Sequence, residues 1–99
     1  MALKFQGDTT NLDLVKGIER IDRQVPFQGT VNDAQVVLRG FKLEFANPDT
    51  PTKVMEVSLH NVRADGNDVR FRVVTQLKDK TGLDEYSGFV DVLVIADVV

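Results

Sequence analysis

The chain contains no cysteine and no tryptophan among its 99 residues, and it has no long hydrophobic run. Without cysteine, neither a disulfide framework nor a thiolate metal site can form, so the fold must depend on packing or on assembly. No stretch is long enough to cross a membrane, and residues 1–7 lack the apolar run of a signal peptide. We therefore expect a cytoplasmic protein, with non-classical export or a place in a viral particle as the alternatives.

An excess of positive charge is also missing. The chain has 12 lysine and arginine residues against 15 aspartate and glutamate residues, a formal net charge of −3. Proteins that bind nucleic acid or anionic membranes use basic surfaces, so we expect neither partner. The composition, with 42% hydrophobic and 27% charged residues, is that of an ordinary globular protein. The length fits one domain over residues 1–99, which begins with an N-terminal arm of about residues 1–15.

The clearest pattern in the chain spans Val54 to Leu77 and predicts a β-hairpin, and with it an all-β fold. Apolar residues occupy odd positions both before and after Gly66, which is the period of two that strands require. Since opposed residues in an antiparallel pair share a face, odd positions must oppose odd positions, and the loop must contain an odd number of residues. Residues 64–66 suit a three-residue loop with Gly66 in the left-handed region. In this register His60 lies opposite Arg70.

The region before the hairpin has a weaker pattern. The first ten residues suit an arm or a short edge strand followed by a turn. Apolar residues within Leu12–Val25 recur at helical spacing, so a helix is one interpretation of that segment. Gly17 and several β-branched residues favour the other interpretation, an extended segment over about residues 16–27. Residues 35–45 alternate as a strand in which Gly40 marks a bulge or bend.

The last predicted strand, from about Tyr86 to Val98, has almost no polar face. Apolar residues occupy both parities, so we expect cover on both sides of the strand. A small sandwich has few residues that could cover a second face of this strand, so we expect a second subunit to cover it. The alternative is a central strand that the N-terminal segment partly covers. The expected oligomer interface consists of Phe89, Val92, Leu93 and Ile95.

Residue groups with catalytic or metal-binding chemistry are scarce. His60 is the only histidine, and a lone imidazole on the polar side of a hairpin is typical of a solvated or hydrogen-bonded surface residue. Asp65, Asn67 and Asp68 resemble part of a calcium loop but lack its later bidentate glutamate. The chain has no glycine-rich phosphate loop, serine elbow or paired carboxylate site. We therefore expect no enzyme, no cofactor and no metal site.

From Phe27 onward, the order of features resembles the H-type lectin domain of snail agglutinins and of the C-terminal part of discoidins. As in that family, a phenylalanine, Phe27, lies well before a strand that contains Val36–Leu38. The same strand ends in a leucine and an acidic residue, Leu43 and Glu44. A hairpin with a glycine-bearing turn follows, and Tyr86 and Ser87 precede the last alternating strand. The resemblance covers about two thirds of the chain.

The resemblance implies a six-stranded antiparallel β-sandwich that assembles as a homotrimer, or as a multiple of trimers, with sugar sites at the subunit junctions. The function implied is non-enzymatic, lectin-like recognition of a carbohydrate or another polar ligand. The alternative is a structural or oligomerisation module, for example of a fibre or assembly protein, in which the sugar site is lost; the absence of tryptophan, which the family uses in that site, favours it. The ligand-binding residues implied are Lys53, Lys78, Asp79, Asp84 and Tyr86.

Overall fold

Long alternating segments pair into two three-stranded sheets, so the prediction of an all-β sandwich is confirmed. The computed structural model describes residues 2–99. Sheet A has the strand order β1-β6-β3, sheet B has the order β2-β5-β4, and every pairing is antiparallel. The strands are β1 (Ala2–Lys16), β2 (Ile18–Pro26), β3 (Val31–Phe45), β4 (Val54–Asp65), β5 (Asp68–Lys78) and β6 (Glu85–Val98).

The core lies between the central strands β5 and β6. Strand β5 buries its odd-numbered residues and β6 buries its even-numbered residues, because successive side chains of a strand point to opposite faces. The larger apolar cluster fills most of the sandwich, and a smaller cluster around Leu12, Leu77 and Tyr86 fills one end. Fully buried members of the larger cluster are Val69, Phe71, Val73, Val90, Val92, Val94 and Ala96.

The molecule is a rod of 50 × 17 × 17 Å. A strand of 15 residues spans about 50 Å, so the longest strands run along the rod. Ala2 and Val31 both pair with Val98 at one end. The other end carries the connecting segments 46–53 and 79–84. No helix among residues 2–99 is long and apolar enough to span a membrane.

The segment Leu12–Val25 is extended, which is the interpretation that Gly17 and the β-branched residues favour. β1 ends at Lys16 and β2 begins at Ile18, so the chain changes sheets at Gly17. Gly17 has φ of +63°, which costs glycine little because it has no Cβ. The N-terminal residues, for which we expected an arm or a short edge strand, form the 15-residue strand β1. The backbone groups along that side of β6 thereby find partners.

The two long sides of the sandwich differ. Between β1 and β2, Arg23 makes two hydrogen bonds to Asp8, of 3.0 and 2.9 Å, and closes that side. Between β3 and β4, inward-facing apolar side chains stay exposed: Leu38, Phe41 and Met55. We call this the open side of the sandwich.

The hairpin has the predicted parity but not the predicted loop. Met55 opposes Leu77 and Leu59 opposes Val73, so odd positions face odd positions. Asp65 pairs with Asp68, however, and leaves a two-residue loop rather than the three-residue loop that parity required. The prediction was wrong because it assumed an unbroken register.

A bulge in β4 restores the parity. The register shifts between His60 and Arg63, which adds one residue to β4 relative to β5. Asn61 lies at the bulge with φ of +57°, a conformation that asparagine tolerates better than most residues. His60 consequently lies opposite Arg72, not opposite Arg70 as predicted. The bulge expected near Gly40 is present, since the register of β3 against β6 shifts between Leu38 and Gly40.

Gly88 of β6 lies opposite Leu43 of β3, where the two backbones are close together. A Cβ there would overlap the carbonyl oxygen of Lys42, and the φ of +155° is one that other residues rarely adopt. We expect Gly88→Ala to lower the free energy of unfolding by about 3 kcal/mol, because the two strands must move apart. Gly40→Ala on the partner strand is the matched control, since a Cβ there meets no atom within 4 Å. Urea denaturation of both variants tests this, and equal midpoints would contradict it.

Candidate functional site

Four of the five residues implied as ligand contacts meet at the loop end of the rod. The backbone N–H of Lys53 donates to the carbonyl of Lys78 at 2.9 Å and extends the β4–β5 pairing. Asp79 follows directly, and its carboxyl group interacts with that of Asp84. This interaction lowers the pKa of Asp79 to about 2 and raises the pKa of Asp84.

The carboxylate of Asp79 is already engaged within its own loop. Its Oδ1 accepts hydrogen bonds from the N–H of Thr81 at 2.9 Å, the hydroxyl of Thr81 at 2.9 Å and the N–H of Gly82 at 3.1 Å. Such Asx-type contacts hold a turn in shape. The geometry explains Asp79 as a residue that orders the loop.

Tyr86, the fifth residue, lies in the core. It is 0% exposed, and its hydroxyl lies 3.1 Å from the hydroxyl of Thr75 and donates to the carbonyl of Gly17 at 2.9 Å. This corrects the expectation that Tyr86 contacts a ligand at the surface. As an even-numbered residue of β6 it points inward, and its hydroxyl links β6 to Thr75 on β5 and to Gly17 between β1 and β2. The loop end therefore offers charged groups without an aromatic surface from Tyr86.

We expect Tyr86→Phe to lower the free energy of unfolding by about 1–2 kcal/mol, because the carbonyl of Gly17 and the hydroxyl of Thr75 both lose a buried partner. Thr75→Val and the double variant complete a cycle in chemical denaturation. If the hydroxyls interact, the double variant loses less than the sum of the single losses. Unchanged stability of Tyr86→Phe would contradict this role.

The same tyrosine gives the fold a dependence on alkaline pH. Burial raises the pKa of Tyr86 above its usual value of 10.0. A raised pKa means that the folded state keeps a proton that the unfolded state releases, so this contribution to stability is complete below pH 10 and is lost as the pH rises through the folded-state pKa. We expect unfolding free energy to fall more steeply above pH 10 in the unmodified protein than in Tyr86→Phe. Parallel curves would refute it.

The outer face of sheet A carries apolar side chains, which are grouped around Leu93 and Ile95 and separated from Phe89 by the Arg39–Asp91 ion pair. Phe89, Leu93 and Ile95 point outward from β6, as the predicted interface required. Val92 does not: it is 1% exposed and belongs to the core, because it shares the parity of Val90 and Val94. Neighbouring strands extend the surface, and we define the apolar face as Leu3, Phe5, Val37, Phe89, Leu93 and Ile95.

Acidic residues border part of the apolar face. A cavity of 310 Å³ lined by Leu3, Phe5 and Ile95 is flanked by Asp33 and Asp97, which oppose each other on β3 and β6. The Oδ1 atom of Asp97 is buried and has no hydrogen-bond partner among the residues that the structure describes. A buried carboxylate oxygen without a donor is unfavourable.

The outer face of sheet B is polar, in contrast to the apolar face. Four of its residues are arginines: Arg20 on β2, Arg63 on β4, and Arg70 and Arg72 on β5. Arg72 pairs with Asp22 at 2.9 Å and Arg70 with Asp65 at 2.6 Å. The hydrogen bond from Arg72 lowers the pKa of Asp22.

His60 is exposed on this polar face and hydrogen-bonded, as predicted for a surface histidine. Its Nε2 lies 2.8 Å from the hydroxyl of Ser58, which donates to Glu56 at 2.9 Å. Glu56 contacts the serine rather than the imidazole, so the three residues lack the order of a catalytic triad. Within residues 2–99, no group of three or more histidine and acidic side chains is arranged to hold a metal ion.

Comparison with known proteins gives one similar solved structure. No family model and no curated protein matches the chain. The P. aeruginosa R1 pyocin fiber comprising C-terminal residues 323–701 aligns with a TM-score of 0.50 and 21% sequence identity, over 94% of this chain and 23% of the fibre chain. At this identity the similarity concerns the fold, and this chain spans about a quarter of the length of that fibre fragment.

Proposed function

We propose that the chain is a structural, self-associating module of a fibre or similar assembly, in which copies pack through the apolar face of sheet A. The observation that carries the proposal is the exposure of large side chains at that face: Leu3 is 63% and Phe5 58% exposed. Monomeric soluble proteins rarely leave large contiguous apolar surfaces in water, and such surfaces are typical of subunit interfaces.

The unpaired strand edges support the same proposal. Two three-stranded sheets have four edge strands, and in sheet A both edges, β1 and β3, are 15 residues long. Long free edges promote pairing with other chains unless something covers them. Side-by-side packing of rods covers the apolar face and shields these edges together.

The proposed stoichiometry is three, which is what the resemblance to H-type lectins implies. A closed ring of three needs two different surfaces on each copy. The chain offers two apolar surfaces that share β3: the apolar face and the open side with Leu38, Phe41 and Met55. The fold shared with part of a pyocin fiber fits a fibre component.

The structural module is favoured over lectin activity by the residues at the loop end. Tyr86 is buried, and Asp79 is occupied by its own loop. The sugar site that the resemblance implies would therefore retain chiefly Lys53, Lys78 and Asp84. These groups leave a sugar ring without an aromatic partner from this chain.

We expect Phe5→Asp to weaken self-association by at least about tenfold, because assembly would bury a carboxylate without a partner. Phe5 is exposed in the single chain, so the variant should still fold. Leu83→Asp is the matched control, since Leu83 is 70% exposed in the segment 79–84 and lies away from the apolar face. Sedimentation velocity over a range of protein concentrations measures the effect.

Two outcomes would overturn the proposal. The unmodified protein could remain a folded monomer at its highest soluble concentration, or both variants could associate as strongly as the unmodified protein. Association by Leu83→Asp but not by Phe5→Asp supports the apolar face as the interface.

A further inference from the structure

A groove crosses the outer face of sheet B, on the side of the rod opposite the apolar face. Its volume is 330 Å³, and it spans all three strands of the sheet. Because the groove belongs to a single chain and uses none of the apolar face, its chemistry is independent of the proposed assembly. Its lining residues are Ile18, Arg20, Glu56, His60, Asn61, Arg72 and Val74.

Positive charge at this groove is incompletely neutralised. Arg72 has a carboxylate partner in Asp22, whereas neither Arg20 nor Arg63 forms an ion pair with any residue from 2 to 99. Arg63 also lies directly opposite Arg70, and like charges in that position repel. An added anion would relieve this repulsion.

The bulge in β4 places Arg63 beside the groove. Arg63 donates from Nη1 to the carbonyl of Asn61 at 3.0 Å, and Asn61 itself lines the groove. The register shift occurs at the same residues, with Asn61 in the left-handed region. Bulges and left-handed non-glycine residues occur often at binding sites, where they redirect side chains.

The imidazole of His60 adds a further polar group. The hydroxyl of Ser58 has one proton and donates it to Glu56, so Nε2 of His60 must carry the proton that faces Ser58. Nδ1 is then the ring nitrogen that remains for a ligand. An unprotonated Nδ1 accepts a hydrogen bond, so the donors in and beside the groove are the side chains of Arg20, Asn61 and Arg63.

We propose that this groove binds an acidic saccharide that extends across sheet B, with its oxyanion groups, carboxylate or sulfate, on Arg20 and on Arg63. The planar guanidinium group can donate two parallel hydrogen bonds to two oxygens of one carboxylate or sulfate, which no other side chain matches as well. The arginines in and beside the groove are Arg20, Arg63 and Arg72, and the carboxylates are Asp22 and Glu56. An oxyanion therefore finds net positive charge there, although the whole chain is acidic. The groove is open at the surface, which suits a ligand that extends beyond the bound group.

Titrations of the full chain with three probes test the proposal. The probes are inorganic sulfate, an acidic oligosaccharide prepared from heparin and a neutral maltooligosaccharide, followed through amide chemical shifts. We expect both anionic probes to shift the amides of residues 20 and 60–63 at low salt, with the effect reduced by added salt, and the neutral probe to shift none of them. Tighter binding of the oligosaccharide assigns a saccharide ligand, and equal affinity per oxyanion assigns a free anion to the same site.

The variant Arg20→Gln/Arg63→Gln should weaken binding of the acidic oligosaccharide by about tenfold or more, because two charged donors are lost. Both side chains are on the surface, so circular dichroism should show an unchanged fold. Lys80→Gln is the charge control, since Lys80 is exposed in the segment 79–84 at the loop end. The absence of shifts with both anionic probes, equal binding by the double variant, or equal loss in Lys80→Gln would overturn the proposal.

Discussion

Strand β6 has apolar side chains on both of its faces, and one sandwich can bury only one of them. The even-numbered residues complete the core against β5. The odd-numbered residues Phe89, Leu93 and Ile95 then lie on the outside of sheet A. Leu3 and Phe5 of β1 and Val37 of β3 lie beside them on the same face.

The two outer faces of the rod are chemically opposite. Sheet A presents apolar side chains together with two ion pairs, Arg39–Asp91 and Lys42–Glu44. Sheet B presents arginines, carboxylates and a histidine, several of them joined by hydrogen bonds. A chain whose sheets differ in this way has a defined orientation in any assembly, because burying the polar face would cost desolvation that burying the apolar face avoids. The polar groove is thus left available to a ligand whenever the apolar face is covered.

Residue parity carried most of what could be predicted. It identified the strands of the hairpin and the two apolar faces of the last strand, whereas the extended state of residues 16–27 was inferred from Gly17 and the β-branched residues. Parity could not exclude Val92 from the interface until the core side of β6 was known, since both faces of that strand are apolar. Nor could the sequence show that Tyr86 is enclosed, because its partners, Thr75 and Gly17, are distant along the chain.

The failed loop prediction and the polar groove have one physical origin. A bulge changes parity by one residue and has no hydrophobic signature, so an unbroken register was the simplest interpretation of the hairpin. Asn61 is the signal that was available: asparagine tolerates positive φ and is otherwise unfavourable inside a strand. A regular strand with a three-residue loop would have satisfied the same apolar pattern without the bulge. The bulge instead shifts the residues that follow it, so that Arg63 opposes Arg70 and binds the carbonyl of Asn61 at the groove. An irregularity that core packing does not require is therefore better explained by the positions that it gives Asn61 and Arg63 at the groove.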